Sequence, residues 1–209
     1  MLDFSTMIFR VPALLIALTF HEYAHALAAD SMGDPTPRAM GRLSVNPLVH
    51  LDILGTLMLV LCGFGWAKPV GIDPRYFRNY REGMLKVSFA GPGANLFLCF
   101  MAVLLMVLVG RLGIASSGMY DFLFWLMMYN VWFAFFNLIP VPPLDGSKIL
   151  EQFMSYEMMY KYEEFIGRYG FFVLMALIFS GVINSIITPL ASAYVGLCQK
   201  VVSLVFFLF

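Results

Sequence analysis

MIFRVPALLIALTFHEYAHALAA, residues 7–29, decides how this chain is read. A membrane-crossing helix needs about 20 mostly apolar residues, and this run supplies them while carrying His21, Glu22 and His25. Residues four apart on an α-helix differ by about 40° around its axis. His21 and His25 therefore point to one side and can grip one metal ion, with Glu22 beside them to deprotonate a metal-bound water. Ionisable side chains cost free energy in a lipid-facing helix, so three together mark function. The spacing points to hydrolysis inside a membrane.

The rest of the composition agrees with a membrane setting. The chain has 209 residues, of which 61% are hydrophobic and 12% charged, where a soluble domain carries about 25% charged residues. It reads as an integral membrane protein with one membrane-embedded domain over 1–209, leaving no room for an appended soluble module of usual size. A formal net charge of zero gives no footing for a nucleic-acid partner. Cys62, Cys99 and Cys198 are widely spaced with no CxxC pair and read as inert buried thiols. Arg10, the apolar run 11–20 and Ala26-Leu27-Ala28 loosely resemble a secretory signal. Asp3 spoils its leading region, and the cleavage region would contain the whole HExxH.

Four stretches qualify as spans, at 7–29, 86–110, 119–138 and 169–189. Residues 190–209 are apolar but hold Gln199 and Lys200, which suits a short last span or an interfacial helix. The fold class expected is an all-α polytopic membrane protein with five or six membrane segments, its core being the first three spans within 7–150 and its C-terminal helices lying in 151–209. Segment 51–66 is short, at 16 residues. Cytoplasmic loops carry the Lys/Arg excess. If 51–66 is re-entrant, Arg38 and Arg42, the group Lys68, Arg75, Arg78, Arg81 and Lys86, and the group Lys148, Lys161 and Arg168 all fall on one face. A full span would split them, so the re-entrant reading is preferred, and it places the N-terminus outside. Gly33-Asp34-Pro35-Thr36-Pro37 stops the first helix, and 66–74 reads as extended or turn-rich because residues before proline avoid the helical region.

Two histidines leave a catalytic zinc one protein ligand short. Asp145 stands out in Asn137-Leu138-Ile139-Pro140-Val141-Pro142-Pro143-Leu144-Asp145-Gly146, where three prolines break the end of an apolar run. Broken backbone at membrane depth is tolerated only where protein buries it or it lines a wet cavity, and a carboxylate there is a functional candidate. Asn137 either positions the metal site or caps the broken helix. His50 is expected to anchor local structure with Asn46 or Asp52. Glu151, Glu157, Glu163 and Glu164 alternate with Lys148, Lys161 and Arg168 as a solvated amphipathic face.

HExxH in the first span, Ala90-Gly91-Pro92-Gly93-Ala94-Asn95 and the NxxPxPPLDG stretch, in that order, resemble the site-2 protease family, peptidase family M50. The likeness runs from about residue 15 to 150 and is similar to the small bacterial and archaeal form without a PDZ or CBS module. It implies an intramembrane zinc metalloendopeptidase in a prokaryotic cell membrane, with Zn2+ held by His21, His25 and Asp145 and Glu22 as general base. It also implies cleavage of a substrate transmembrane segment near the cytoplasmic face.

Further expectations follow. Asn95 is the candidate oxyanion donor, with a buried asparagine satisfying helix backbone as the alternative. A helical substrate must unwind, and 65–72 is a candidate strand edge to receive it. That makes Trp66, Lys68, Val70 and Asn137 candidate substrate-binding residues. The partners expected are a transmembrane protein or peptide and the lipid bilayer. A membrane transporter using the same His/His/Asp cluster is the rival reading, and a silent membrane scaffold a third. A transporter has no need of Glu22 beside two ligands.

Overall fold

The computed structural model describes residues 4–52, 54–55 and 67–207. Its described residues form α1 (Phe4–Ser31), α2 (Thr36–Ala39), α3 (Tyr80–Arg111), α4 (Ser117–Asn137), α5 (Asp145–Glu151), α6 (Tyr156–Phe179) and α7 (Val182–Phe207), with no extended sheet among them. Four helices are long and apolar enough to cross a membrane: Thr6–Ser31, Tyr80–Arg111, Ser117–Asn137 and Val182–Phe206. The protein is an all-α integral membrane protein.

One ladder of residues organises α1. Ala13, Ala17, His21, His25 and Ala29 recur every fourth position, and all are buried. Small residues at this spacing let neighbouring helices approach closely. The facing side of α3 presents Ser88, Gly91, Asn95, Cys99 and Ala102, and α4 presents Leu123, Met127, Asn130 and Ala134, again buried at three- and four-residue steps. The two histidines thus lie in a helix–helix seam.

Cross-helix contacts set the directions. Arg10 donates to the Tyr129 hydroxyl at 3.2 Å, while His21 meets Asn95 and His25 meets Val87. Later residues of α1 thus meet earlier residues of α3, which runs antiparallel to α1, while α4 runs parallel to it. The C-terminal end of α1, the N-terminal end of α3 and the C-terminal end of α4 share one end of the bundle.

Loop chemistry at that end is explicit. After α1, Gly33 takes φ +101°, and the Asp34 carboxylate accepts from Thr36 N at 2.9 Å and Asp73 N at 2.7 Å. Asn79 caps α3 by accepting from Glu82 N. Leu51 and Ala67, on either side of the stretch 52–66, form an antiparallel bridge. The course of that stretch, including the re-entrant reading of 51–66, the side chain of Trp66 and Cys62, lies outside the described residues. His50 anchors local structure with a partner other than the expected Asn46 or Asp52: its Nε2 donates to the Ser44 carbonyl at 2.7 Å.

The C-terminal region departs from the expected spans. The apolar run 169–189 is not one helix: α6 ends at Phe179, and Gly181 at φ +74° separates it from α7. A left-handed glycine terminates helices because it lacks a Cβ to clash. The span at this end is Val182–Phe206, which takes in most of 190–209. The first half of α6 carries the expected charged face, with Lys161 paired to Glu157 at 2.6 Å in the open.

Candidate metal centre

Three ligand atoms converge in the seam. His25 Nε2 lies 3.0 Å from His21 Nε2 and 3.1 Å from Asp145 Oδ2, and His21 Nε2 lies 3.2 Å from the same oxygen. All three side chains are buried. The two histidines come from adjacent turns of α1. Asp145 opens α5 after the break at 140–143, and α5 packs against α3.

The outer nitrogens fix the tautomers. His21 Nδ1 donates to Asn95 Oδ1 at 2.6 Å, and His25 Nδ1 donates to the Val87 carbonyl at 2.8 Å. A carbonyl can only accept. The Asn95 amide nitrogen is already engaged with the Ala17 carbonyl at 3.0 Å and Asn130 Oδ1 at 2.7 Å, so its oxygen faces His21. In the neutral imidazole one nitrogen carries the proton and the other is bare. Both Nε2 atoms therefore present lone pairs to each other and to a carboxylate oxygen. Such a cluster calls for a cation. Two ligands about 2.0–2.1 Å from one zinc at the tetrahedral angle would lie about 3.3 Å apart, close to the spacing here. The His/His/Asp donor set fits Zn2+ and leaves a fourth position open.

Two glycines make room for this geometry. A Cβ on Gly91 would stand 2.4 Å from His25 Nε2 and 2.6 Å from His21 Cε1. One on Gly146 would stand 2.3 Å from the Leu138 carbonyl oxygen, pushing α5 and Asp145 away from the break. Gly91→Ala is therefore expected to displace both imidazoles and leave purified protein with less than about a tenth of the wild-type zinc while its helicity persists. Metal analysis with circular dichroism reads both quantities.

The ligands open onto a cavity of about 110 Å³, whose wall includes Glu22, Val70, Ser88, Asn137 and Lys148. That volume holds several waters. Glu22 accepts from the Val70 backbone N–H through Oε2 at 3.0 Å. Of the expected substrate-binding residues, Val70 and Asn137 reach this cavity, and the Asn137 amide also donates to the Phe133 carbonyl at 3.0 Å. Lys68 is exposed and is not on the cavity wall; its backbone N–H donates to the His50 carbonyl at 2.9 Å. The Lys68 and Pro69 carbonyls are engaged by Arg42, which donates to them at 3.3 and 3.5 Å. Asn95 is fully buried and lies behind His21 rather than on the cavity wall, with its amide hydrogens directed at Ala17 and Asn130.

Arg42 and Ser88 had no role in the sequence reading. Arg42 entered only as a loop charge, yet it is buried and also donates to the Val49 carbonyl, fastening the two loops beside the site. A charged residue just after a glycine turn, in a loop full of prolines, was the available signal.

Comparison with known proteins agrees with this geometry. The profile of peptidase family M50 matches residues 108–180, a region that includes Asp145. YwhC of Bacillus subtilis (strain 168), provisionally named a zinc metalloprotease, is 35% identical over 207 residues, 97% of this chain and 94% of that protein. Rip2 of Mycolicibacterium smegmatis, named likewise, is 30% identical across 81% of this chain and 66% of its own length. The Methanocaldococcus jannaschii protein MJ0611, also so named, is 28% identical across 71% of this chain and 73% of its own. No solved structure matches the chain. Likeness to YwhC along nearly the whole of both chains places this protein in peptidase family M50, the site-2 protease family.

Proposed function

We propose that the protein is an intramembrane zinc metalloendopeptidase that hydrolyses a peptide bond within or near a transmembrane segment of its substrate. The observation that carries this reading is the convergence of His21, His25 and Asp145 with Glu22 on the wall of one cavity, inside a bundle of membrane-length helices. Zinc bound there supplies a Lewis acid that polarises a carbonyl and acidifies a water. Glu22 supplies the base: Val70 N–H holds Oε2, which aims the carboxylate at the cavity, where it takes a proton and returns it to the leaving amine. A transit site for a cation has no use for that carboxylate, which favours hydrolysis over transport.

Asn95 is a positioning residue in this reading. It fixes the tautomer and orientation of His21, and Asn130 in turn fixes Asn95. Partners of this kind are worth about 10–100-fold in metal affinity. Asn95→Ala is expected to weaken zinc binding by that factor in a folded protein, measured by competition with a chromophoric chelator.

The substrate must present an extended segment, because the carbonyls of a helix are engaged by its own amides. The non-helical walls of the cavity, at 67–73 and 140–143, suit such a segment. The site end of the bundle carries Arg38, Arg42, Arg75, Arg78, Arg81, Lys86 and Lys148, while the far ends of the spans carry Arg10, Arg111 and Lys200. By the positive-inside rule the site faces the cytoplasm.

Metal removal tests the reading. Purified protein in detergent should lose cleavage of a single-span test substrate on dialysis against 1,10-phenanthroline and regain it with stoichiometric zinc. Cleavage that persists in zinc-free protein would overturn the proposal.

A further inference from the structure

We propose that Ser88 is a catalytic residue that donates a hydrogen bond to the reacting carbonyl oxygen of the substrate; this rests on the peptidase reading above. Ser88 is 1% exposed, and its Oγ makes no hydrogen bond within the protein. That is unusual for this chain. Ser31, Ser147, Ser180, Ser185 and Ser203 each turn the hydroxyl back onto a carbonyl three or four residues earlier, as serines in helices commonly do. Ser88 sits well inside α3, yet no such bond forms. A buried hydroxyl without a partner costs free energy, and a native one calls for an explanation.

Its place supplies the explanation. Ser88 lies on the cavity wall with His21, Glu22, His25 and Asp145. It follows Val87, whose carbonyl holds His25. It also stands one turn before Gly91, the glycine on which a Cβ would touch His25 Nε2. The side of α3 that carries the free hydroxyl is thus the side that backs the metal ligands.

Other donors near the site are engaged or open to solvent. The Asn95 amide serves Ala17 and Asn130, the Val70 N–H serves Glu22, and the Asn137 amide, only partly buried, gives one of its two hydrogens to Phe133. Lys148 is only partly buried. Acyl transfer develops negative charge on the carbonyl oxygen, and a preorganised donor in a site shielded from water stabilises it. Ser88 Oγ–H is the donor on this wall that is buried and free.

Steady-state cleavage of a single-span substrate by wild type, Ser88→Ala and Ser88→Thr, each loaded with zinc, tests the assignment. Ser88→Ala should lower kcat by about 10–1000-fold with KM nearly unchanged, the mark of a contact made only in the transition state. Ser88→Thr keeps the hydroxyl and should recover most of the rate. Zinc stoichiometry and melting temperature should match wild type in both. In a second readout independent of turnover, a phosphinic peptide that mimics the tetrahedral state should bind Ser88→Ala at least 10-fold more weakly. Equal kcat in Ser88→Ala would overturn the role of Ser88 while leaving the peptidase reading intact. So would a loss of rate that merely tracks lost zinc, or one that threonine does not recover. A zinc-loaded wild type that cleaves no peptide would overturn both.

Discussion

Glu22→Gln should keep about one zinc per chain and lower peptide cleavage by roughly 10²–10⁴-fold, the usual worth of a positioned general base. Glutamine has nearly the shape of glutamate, so the buried seam is undisturbed and His21, His25 and Asp145 still converge. The amide oxygen can still accept from Val70 N–H, which preserves the loop that this contact holds. What disappears is the ability to take a proton at the cavity. The variant should therefore bind substrate without turning it over, which also makes it the reagent for trapping partners in cells and identifying them by mass spectrometry. Cleavage by Glu22→Gln within a few-fold of wild type would remove Glu22 from the mechanism.

Asp145→Ala should leave less than about a tenth of the wild-type zinc in purified protein and no measurable cleavage, because two imidazoles alone hold a catalytic zinc weakly. The effect on the fold should be small. Asp145 begins a short helix, and its carboxylate contacts the two histidines, while α1, α3 and α4 are held by the ladders of alanine and larger apolar residues between them. Removing the carboxylate also removes a charge that burial disfavours. Metal analysis alongside a thermal melt separates these outcomes. Stoichiometric zinc in Asp145→Ala would show that the third ligand is elsewhere.

Much of this centre could be read from local pattern. The i, i+4 spacing of His21 and His25 is helix geometry, and it coincides with the alanine ladder that buries them. Asp145 stood out because prolines break an apolar run beside it. Asn95 could be found by its place in a span, but not its task. Its partners come from α1 and α4, 78 and 35 residues away in sequence, and only the packed bundle shows both amide hydrogens engaged. Ser88 carries no local signal, since a serine in an apolar helix ordinarily satisfies itself on its own backbone. The break at Gly181 is hidden in a run that stays apolar on average, and hydropathy does not register a change of backbone hand, although Ser180-Gly181 is itself a turn signal.

The most direct test is to co-reconstitute the zinc-loaded protein with a single-span substrate in lipid vesicles and map the new termini by mass spectrometry. The expected result is a cut within or at the edge of the apolar segment, absent with Glu22→Gln and after zinc removal. No cleavage by fully zinc-loaded wild type, or the same products from Glu22→Gln, would contradict the account.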